Sequence, residues 1–230
     1  SKKAIVSLNN GAKLGGFAQN TGEGGISPYH RSRGDLIWQI GTGYFGCRAK
    51  DGTFSEELFK ERTAYPEVKM IELKLSQGAK PGHGGLLPAE KNTIEVSQIR
   101  NVEPFTTVHS PSSHSAFSNA TEMVHFLQKM RELSGGKPIG FKICIGRKEE
   151  FIDIVKAMKA NDIYPDFINI DGDEGGTGAA PLEFIDYMGM ALSDALVFTN
   201  KTLKQYGIRE NIKLIAAGKV ISEYELAKNM

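Results

Sequence analysis

The segment Val68-Lys69-Met70-Ile71-Glu72-Leu73-Lys74-Leu75 decides how the rest of the chain is read. Successive side chains of a strand point to opposite faces, so Ile71, Leu73 and Leu75 share one face, against covering helices, while Met70, Glu72 and Lys74 share the other. A glutamate beside a lysine on one face of an otherwise buried strand belongs in the polar interior of a barrel, near its mouth. Upstream, Ala4, Ile5, Leu8 and Ala12 recur at helical spacing until Gly15-Gly16 ends the pattern, and Phe17 to Gln19 reads as a short strand before a mixed segment over 35–45. Downstream, Thr106 to His109, Ile139 to Ile145, Phe167 to Asp171 and Ile212 to Ala217 read as strands. Helix patterns separate them. Met123, Val124, Leu127 and Met130 follow a cap at Ser118 or Asn119; Phe151, Ile154, Val155 and Met158 line one side of 148–161; a long helical region runs from Pro181 to about Tyr206; and a last helix starts at Ser222.

Strands alternating with helices give the α/β class. The six strand candidates (17–19, 68–75, 106–109, 139–145, 167–171 and 212–217) succeed one another without a linker, which predicts a single domain over 1–230. A closed parallel barrel of eight strands would need one more unit at each end, so the chain reads as a fragment of a longer protein. No G-x-G-x-x-G turn joins the opening elements, which leaves an open doubly wound sheet without support.

Composition narrows the function. Lys and Arg (28) nearly cancel Asp and Glu (27), leaving no basic stripe for nucleic acid. The two cysteines, Cys47 and Cys144, lie far apart without a C-x-x-C neighbour, so neither a disulfide framework nor a metal or cluster site is expected, and a reducing cytoplasm fits best. No run of apolar residues is long enough for a membrane segment or a signal-peptide core.

Three Gly-dense stretches stand where strands end, which in a parallel barrel is the catalytic mouth. They are Asn20-Thr21-Gly22-Glu23-Gly24-Gly25, the run from Gln77 to Gly85, and the run from Asp171 to Ala180. Any one of them could be a tight turn alone; three on one rim, each beside a polar residue (Asn20, Gln77, Asp171), point to a shared ligand site. Lys142 sits inside the apolar strand Gly140-Phe141-Lys142-Ile143-Cys144, and Lys74 and Lys80 flank the second glycine run. A buried ammonium needs an anion, either Glu72 or a ligand. His114 and His30 read as loop histidines, and Asp171, Asp173 and Glu174 as ligand-side carboxylates rather than a metal site.

The run from Asn20 to Gly25, the segment from Lys74 to Gly85, and Glu174-Gly175-Gly176-Thr177-Gly178-Ala179 closely resemble the FMN-binding domain of glutamate synthase, most of all its short bacterial and archaeal forms. Gly41 to Gly46 and Ser110 to Phe117 extend the likeness over nearly the whole chain. The resemblance implies a TIM (β/α)8 barrel, here partial and lacking the first and last strands, with FMN at its mouth. There 2-oxoglutarate and ammonia would form 2-iminoglutarate, and hydride from reduced FMN would give glutamate, the work of an oxidoreductase acting on CH-NH2 donors. Lys74, Gln77 and Lys142 would lie near the flavin, and Gly175, Gly176 and Thr177 would close its pocket; Asn20, Asp171 and Gly218 join the cofactor side. Glu23, Lys80 and Arg100 would hold the keto acid, with Glu23 and Lys80 as the catalytic pair, although by position alone Arg100 reads as a solvated helix-end charge.

The chain also departs from the family. Leu86 stands where glutamate synthase has a glutamine after the second glycine run and cannot hydrogen-bond a carboxylate, which keeps an N-methylglutamate synthase, using methylamine, as a rival. An iron-sulfur cluster would belong to the parent protein, because its cysteine ligands are absent from this sequence. An electron donor or glutaminase, as subunit or domain, is the expected partner. The unpaired edges of a partial barrel would aggregate or pair with another copy, so the isolated piece is expected to be inactive, at the extreme a flavin-binding or assembly module.

Overall fold

A computed structural model describes residues 2–78, 84–176 and 180–230, and the described residues divide into two compact units. The first holds 2–73, 84–116 and 129–139, and the second holds 74–78, 117–128, 140–176 and 180–230.

In the first unit, α1 (Lys2–Gly15) is followed by β1 (Gln19–Asn20), β2 (Leu36–Ile40), α2 (Glu56–Thr63) and β3 (Val68–Lys74). The three strands are parallel, with Asn20 opposite Ile37, Gln39 opposite Glu72 and Ile40 opposite Leu73. Leu36, Trp38, Ile40, Ile71 and Leu73 are fully buried, and Trp38 stacks on Phe59 of α2 at 5.5 Å between ring centroids. Ser55 accepts from Leu58 N, so α2 starts where its cap stands. The Lys137 ammonium donates to the carbonyls of Thr63, Tyr65 and Val68, tying the end of α2 to the start of β3. A later excursion holds β4 (Leu86–Leu87), α3 (Ile94–Arg100) and β5 (Val108–His109), with β4 and β5 antiparallel.

The second unit continues through α4 (Ala120–Leu133), which starts in it, and through β6 (Ile139–Ile143), α5 (Lys148–Asn161), β7 (Phe167–Asp171), α6 (Leu192–Gln205), β8 (Lys213–Ala217) and α7 (Glu223–Asn229). Here β6, β7 and β8 are parallel, Lys142 opposite Asn169 and Asp171 opposite Ala217. Phe151, Ile154, Val155 and Met158 of α5 are all buried, as their spacing requires. Asn119 caps α4, its Oδ1 accepting from Glu122 N. Asp162 ends α5 in the left-handed conformation.

All six strands of the main sheet follow the order β1-β2-β3-β6-β7-β8. That order never reverses along the chain, whereas a doubly wound sheet turns back at a switch point. The fold is therefore α/β, with the one-way strand order of a (β/α)8 barrel over the six parallel strands found among the described residues. Six strands were also expected from the sequence, but the set differs. The segment 106–109 lies outside the sheet as half of a two-residue antiparallel pair, and its place is taken by Leu36–Ile40, buried on both faces and so lacking alternation. The helical region expected from Pro181 is turns up to Met190, with α6 starting at Leu192. Among the described residues no helix is long and apolar enough to cross a membrane.

His30 is a buried structural group rather than a solvated loop histidine: Ser27 N donates to its Nδ1 at 3.0 Å. Burial lowers its pKa, so the folded ring stays neutral while the unfolded chain binds a proton first as pH falls. This contribution is complete above about pH 6.5 and is lost as pH falls from there through the lower folded-state value. Urea unfolding midpoints should drop between about pH 7 and about pH 5, and drop less in His30→Asn, which keeps an acceptor but cannot titrate.

Candidate functional site

In the second unit, chain segments leaving the C-terminal ends of parallel strands are pressed together. Just beyond β3, Lys74 Nζ donates to Gln77 Oε1 at 2.5 Å, and Gly78 N donates to Asp171 Oδ2 at 3.0 Å. Asp171 ends β7 and also receives Lys142 Nζ, from β6, at 3.2 Å. Only 3% of the Asp171 side chain and 18% of the Lys142 side chain are exposed. Lys142 lies opposite Asn169, so Asp171, two residues further along, stands on the same face of the sheet and within reach. The ammonium and the Gly78 amide together satisfy a carboxylate that would be costly to bury alone.

Backbone meets backbone around that carboxylate. A Cβ added at Gly78 would overlap the carbonyl oxygens of Gly172 and Gly175. Gly172 N donates to Ala217 O at 2.9 Å, and Gly175 N to Gly172 O at 2.8 Å, which closes the turn after β7 and joins it to β8. Gly218, just past β8, has φ +121, and a Cβ there would lie 3.1 Å from Gly172 N and 3.4 Å from Gly175 N. Only glycine combines that backbone angle with so near an approach. The exits of β3, β7 and β8 are thus packed backbone to backbone, with Gly78, Gly172 and Gly175 buried, Gly176 exposed, and Lys142, Lys74 and Gln77 beside them.

Cys144, one residue past β6, takes no part as a nucleophile. Burial first, then the carboxylates of Asp171, Asp173 and Glu174, push its thiol up to about 12, so no thiolate forms near neutrality.

The first unit gathers the other expected residues. Glu72 is fully buried, and its Oε1 accepts from Asn20 Nδ2 at 2.9 Å and from Gln39 Nε2 at 2.7 Å. Asn20 Oδ1 in turn accepts from Gly22 N at 2.9 Å, so Asn20 shapes the start of its glycine loop. Glu23 packs against Gly41, where a Cβ would overlap its carboxylate. Arg100 ends α3 but is not a solvated charge: it is half-buried, with its guanidinium carbon 4.7 Å from the Phe45 ring centroid. Burial lowers its pKa and the Glu23 carboxylate pushes it back.

Asn20, Glu23 and Arg100 therefore lie together in the first unit, and Lys74, Gln77, Lys142, Asp171, Gly175, Gly176 and Gly218 in the second. Lys80 and Thr177 lie outside the described residues. Gln39 was missed in the sequence; a single polar residue inside the apolar run Leu36–Ile40 was the available signal. Glu174, expected from the sequence as a ligand-side carboxylate, accepts from Leu192 N within the fold.

The whole chain, residues 1–230, matches the model of a family described as the conserved region in glutamate synthase. It is 43% identical over 228 residues to the glutamate synthase large subunit-like protein YerD of Bacillus subtilis, covering 98% of this chain and 43% of that protein. It is 32% identical over 230 residues to the archaeal-type glutamate synthase [NADPH] of Thermotoga maritima, covering 99% and 42% respectively. It is also 32% identical over 220 residues to the archaeal glutamate synthase [NADPH] of Methanocaldococcus jannaschii, covering 95% and 40%. The chain thus spans less than half the length of these curated relatives.

Proposed function

Because this chain belongs to the glutamate synthase family, we propose that it is the FMN-holding part of a cytoplasmic oxidoreductase that converts 2-oxoglutarate, through 2-iminoglutarate, to glutamate. The observation that supports this reading is the set of closely packed glycine turns, with Gly176 exposed at their edge, beside Lys142, Lys74 and Gln77 in the second unit. A flavin fits that donor set. Its planar ring needs backbone without side chains, and its pyrimidine edge, electron-rich when reduced, needs cations and an amide. Bound FMN would supply the hydride.

The chain's own residues then have distinct tasks. Asp171 fixes the direction of Lys142 and neutralises it until a more electron-rich partner arrives. Lys74 orients the Gln77 amide. Gly175, Gly176 and Thr177 would offer backbone to the ring, Gly218 would join the cofactor side by letting the end of β8 approach the 172–176 turn, and Asn20 would hold its own glycine loop in shape. For the keto acid, Arg100 of the first unit would offer a carboxylate its bidentate fork, and Glu23 and Lys80 are the residues proposed for catalysis from the resemblance. By the names of the relatives, NADPH would be the electron source. A glutaminase subunit or domain would supply ammonia, and a cluster-bearing domain would carry the electrons.

Methylamine is a second nitrogen donor to consider, because Leu86, 61% exposed, offers no hydrogen bond where a glutamine would. The test is to incubate the full-length protein, reduced, with 2-oxoglutarate and either ammonia or methylamine and to identify the product by mass. Glutamate is expected with ammonia. N-methylglutamate would install the rival, and a protein that takes up flavin yet makes neither product would refute both.

A further inference from the structure

Helix α6 starts without a cap of its own. Its N-cap residue, Ala191, has no side-chain acceptor, yet the first turn of a helix leaves backbone N–H groups without partners. The acceptor comes from elsewhere: both carboxylate oxygens of Glu174 face Leu192 N, at 3.1 Å and 3.0 Å, across 18 positions of sequence. A carboxylate there also meets the positive end of the helix dipole. Two further contacts bind the same loop to the same place. Asp173 N donates to Met190 O at 3.1 Å, and a Cβ at Gly172 would come within 2.7 Å of Leu192 N, so the turn is packed against the helix start.

Burial first, and then the neighbouring Glu174 carboxylate, raise the pKa of Asp173. Capping alone does not require Glu174, because a serine or aspartate at 191 would cap α6 locally. What the remote carboxylate adds is a link between the helix and the turn after β7, the turn that meets Gly78 and Gly218.

We propose that Glu174 is a positioning residue that caps α6 from within the β7–α6 connection and thereby holds the 172–176 turn in the form that receives the cofactor. The tether itself is a property of this fold, while its use in cofactor binding rests on the reading of that turn given above.

The test uses the full-length protein and three variants: Glu174→Gln, Glu174→Ala, and Glu174→Ala combined with Ala191→Asp. Three quantities are read: hydrogen exchange of the 172–176 amides without cofactor, the thermal midpoint, and the dissociation constant for FMN. Glu174→Gln should behave like wild type, because its amide oxygen still accepts from Leu192 N. Glu174→Ala should speed exchange about tenfold, lower the midpoint and weaken FMN binding about tenfold. Adding Ala191→Asp should restore the midpoint, since the helix is capped again, but neither the slow exchange nor the affinity. If Glu174→Ala does not fold, the double variant carries the comparison with wild type. Unchanged exchange in Glu174→Ala, or exchange restored together with the midpoint in the double variant, would overturn the proposal and leave Glu174 as a helix cap only. A wild-type protein that takes up no FMN would instead refute the cofactor reading, and the exchange data would still judge the tether.

Discussion

Lys142→Met is expected to weaken FMN binding about 100-fold and to lower stability by about 3 kcal/mol. The stability loss arises at Asp171, which keeps Gly78 N but loses its cation while 3% exposed. Removing one partner of a buried pair costs about 3–5 kcal/mol, and the partial exposure of Lys142 argues for the lower end. The affinity loss has a separate origin, the missing positive charge beside the flavin's electron-rich edge. A second change separates the two. Adding Asp171→Asn to Lys142→Met removes the stranded carboxylate while keeping an acceptor for Gly78 N, so denaturation should return most of the stability and flavin titration should return none of the affinity. A Lys142→Met protein that is destabilised yet binds FMN like wild type would mean that the lysine serves Asp171 alone.

Gly78→Ala should cost about 3 kcal/mol and at least about tenfold in FMN affinity. The added carbon would meet two carbonyl oxygens, and neither can retreat freely. Gly172 is bonded to Ala217 and Gly175 to Gly172, so the turn after β7 would have to part from β8 or from Gly78. A glycine elsewhere supplies the control. At Gly11, in the middle of α1, nothing lies within 4 Å of a Cβ, so Gly11→Ala should stabilise by about 0.5–1 kcal/mol through helix propensity. Urea denaturation of both variants reads the contrast, and a Gly78→Ala protein as stable as wild type would show that the loops are not in contact.

Much of this architecture could be read in the sequence because its elements announce themselves locally. Strand β3 alternates, α4 and α5 repeat apolar residues at helical spacing, and α7 starts at the Ser222 and Glu225 capping box. Strand β2 hid for a physical reason: Leu36, Trp38, Gln39 and Ile40 are all buried, so no exposed face marks a period. Thr106 to His109 misled for the opposite reason, a β-rich composition too short to show which sheet it joins.

At the site, the glycine runs stood out by their place after strands, and so did the lysines by their apolar surroundings. The pairings did not. Asp171 holds Lys142 because parallel register brings β6 and β7 side by side, and register is not a local property of either strand. Arg100 looked like a surface charge because Phe45 and Glu23, which make its surroundings, are distant in sequence. Gln39, likewise, gains meaning only opposite Glu72.

The central claim is tested most directly by a crystal structure of the full-length protein soaked with FMN. The expected result is flavin in contact with Lys142, Gln77 and the backbone of Gly176. Flavin bound elsewhere, with the Lys142–Asp171 pair and the glycine turn untouched, would contradict it.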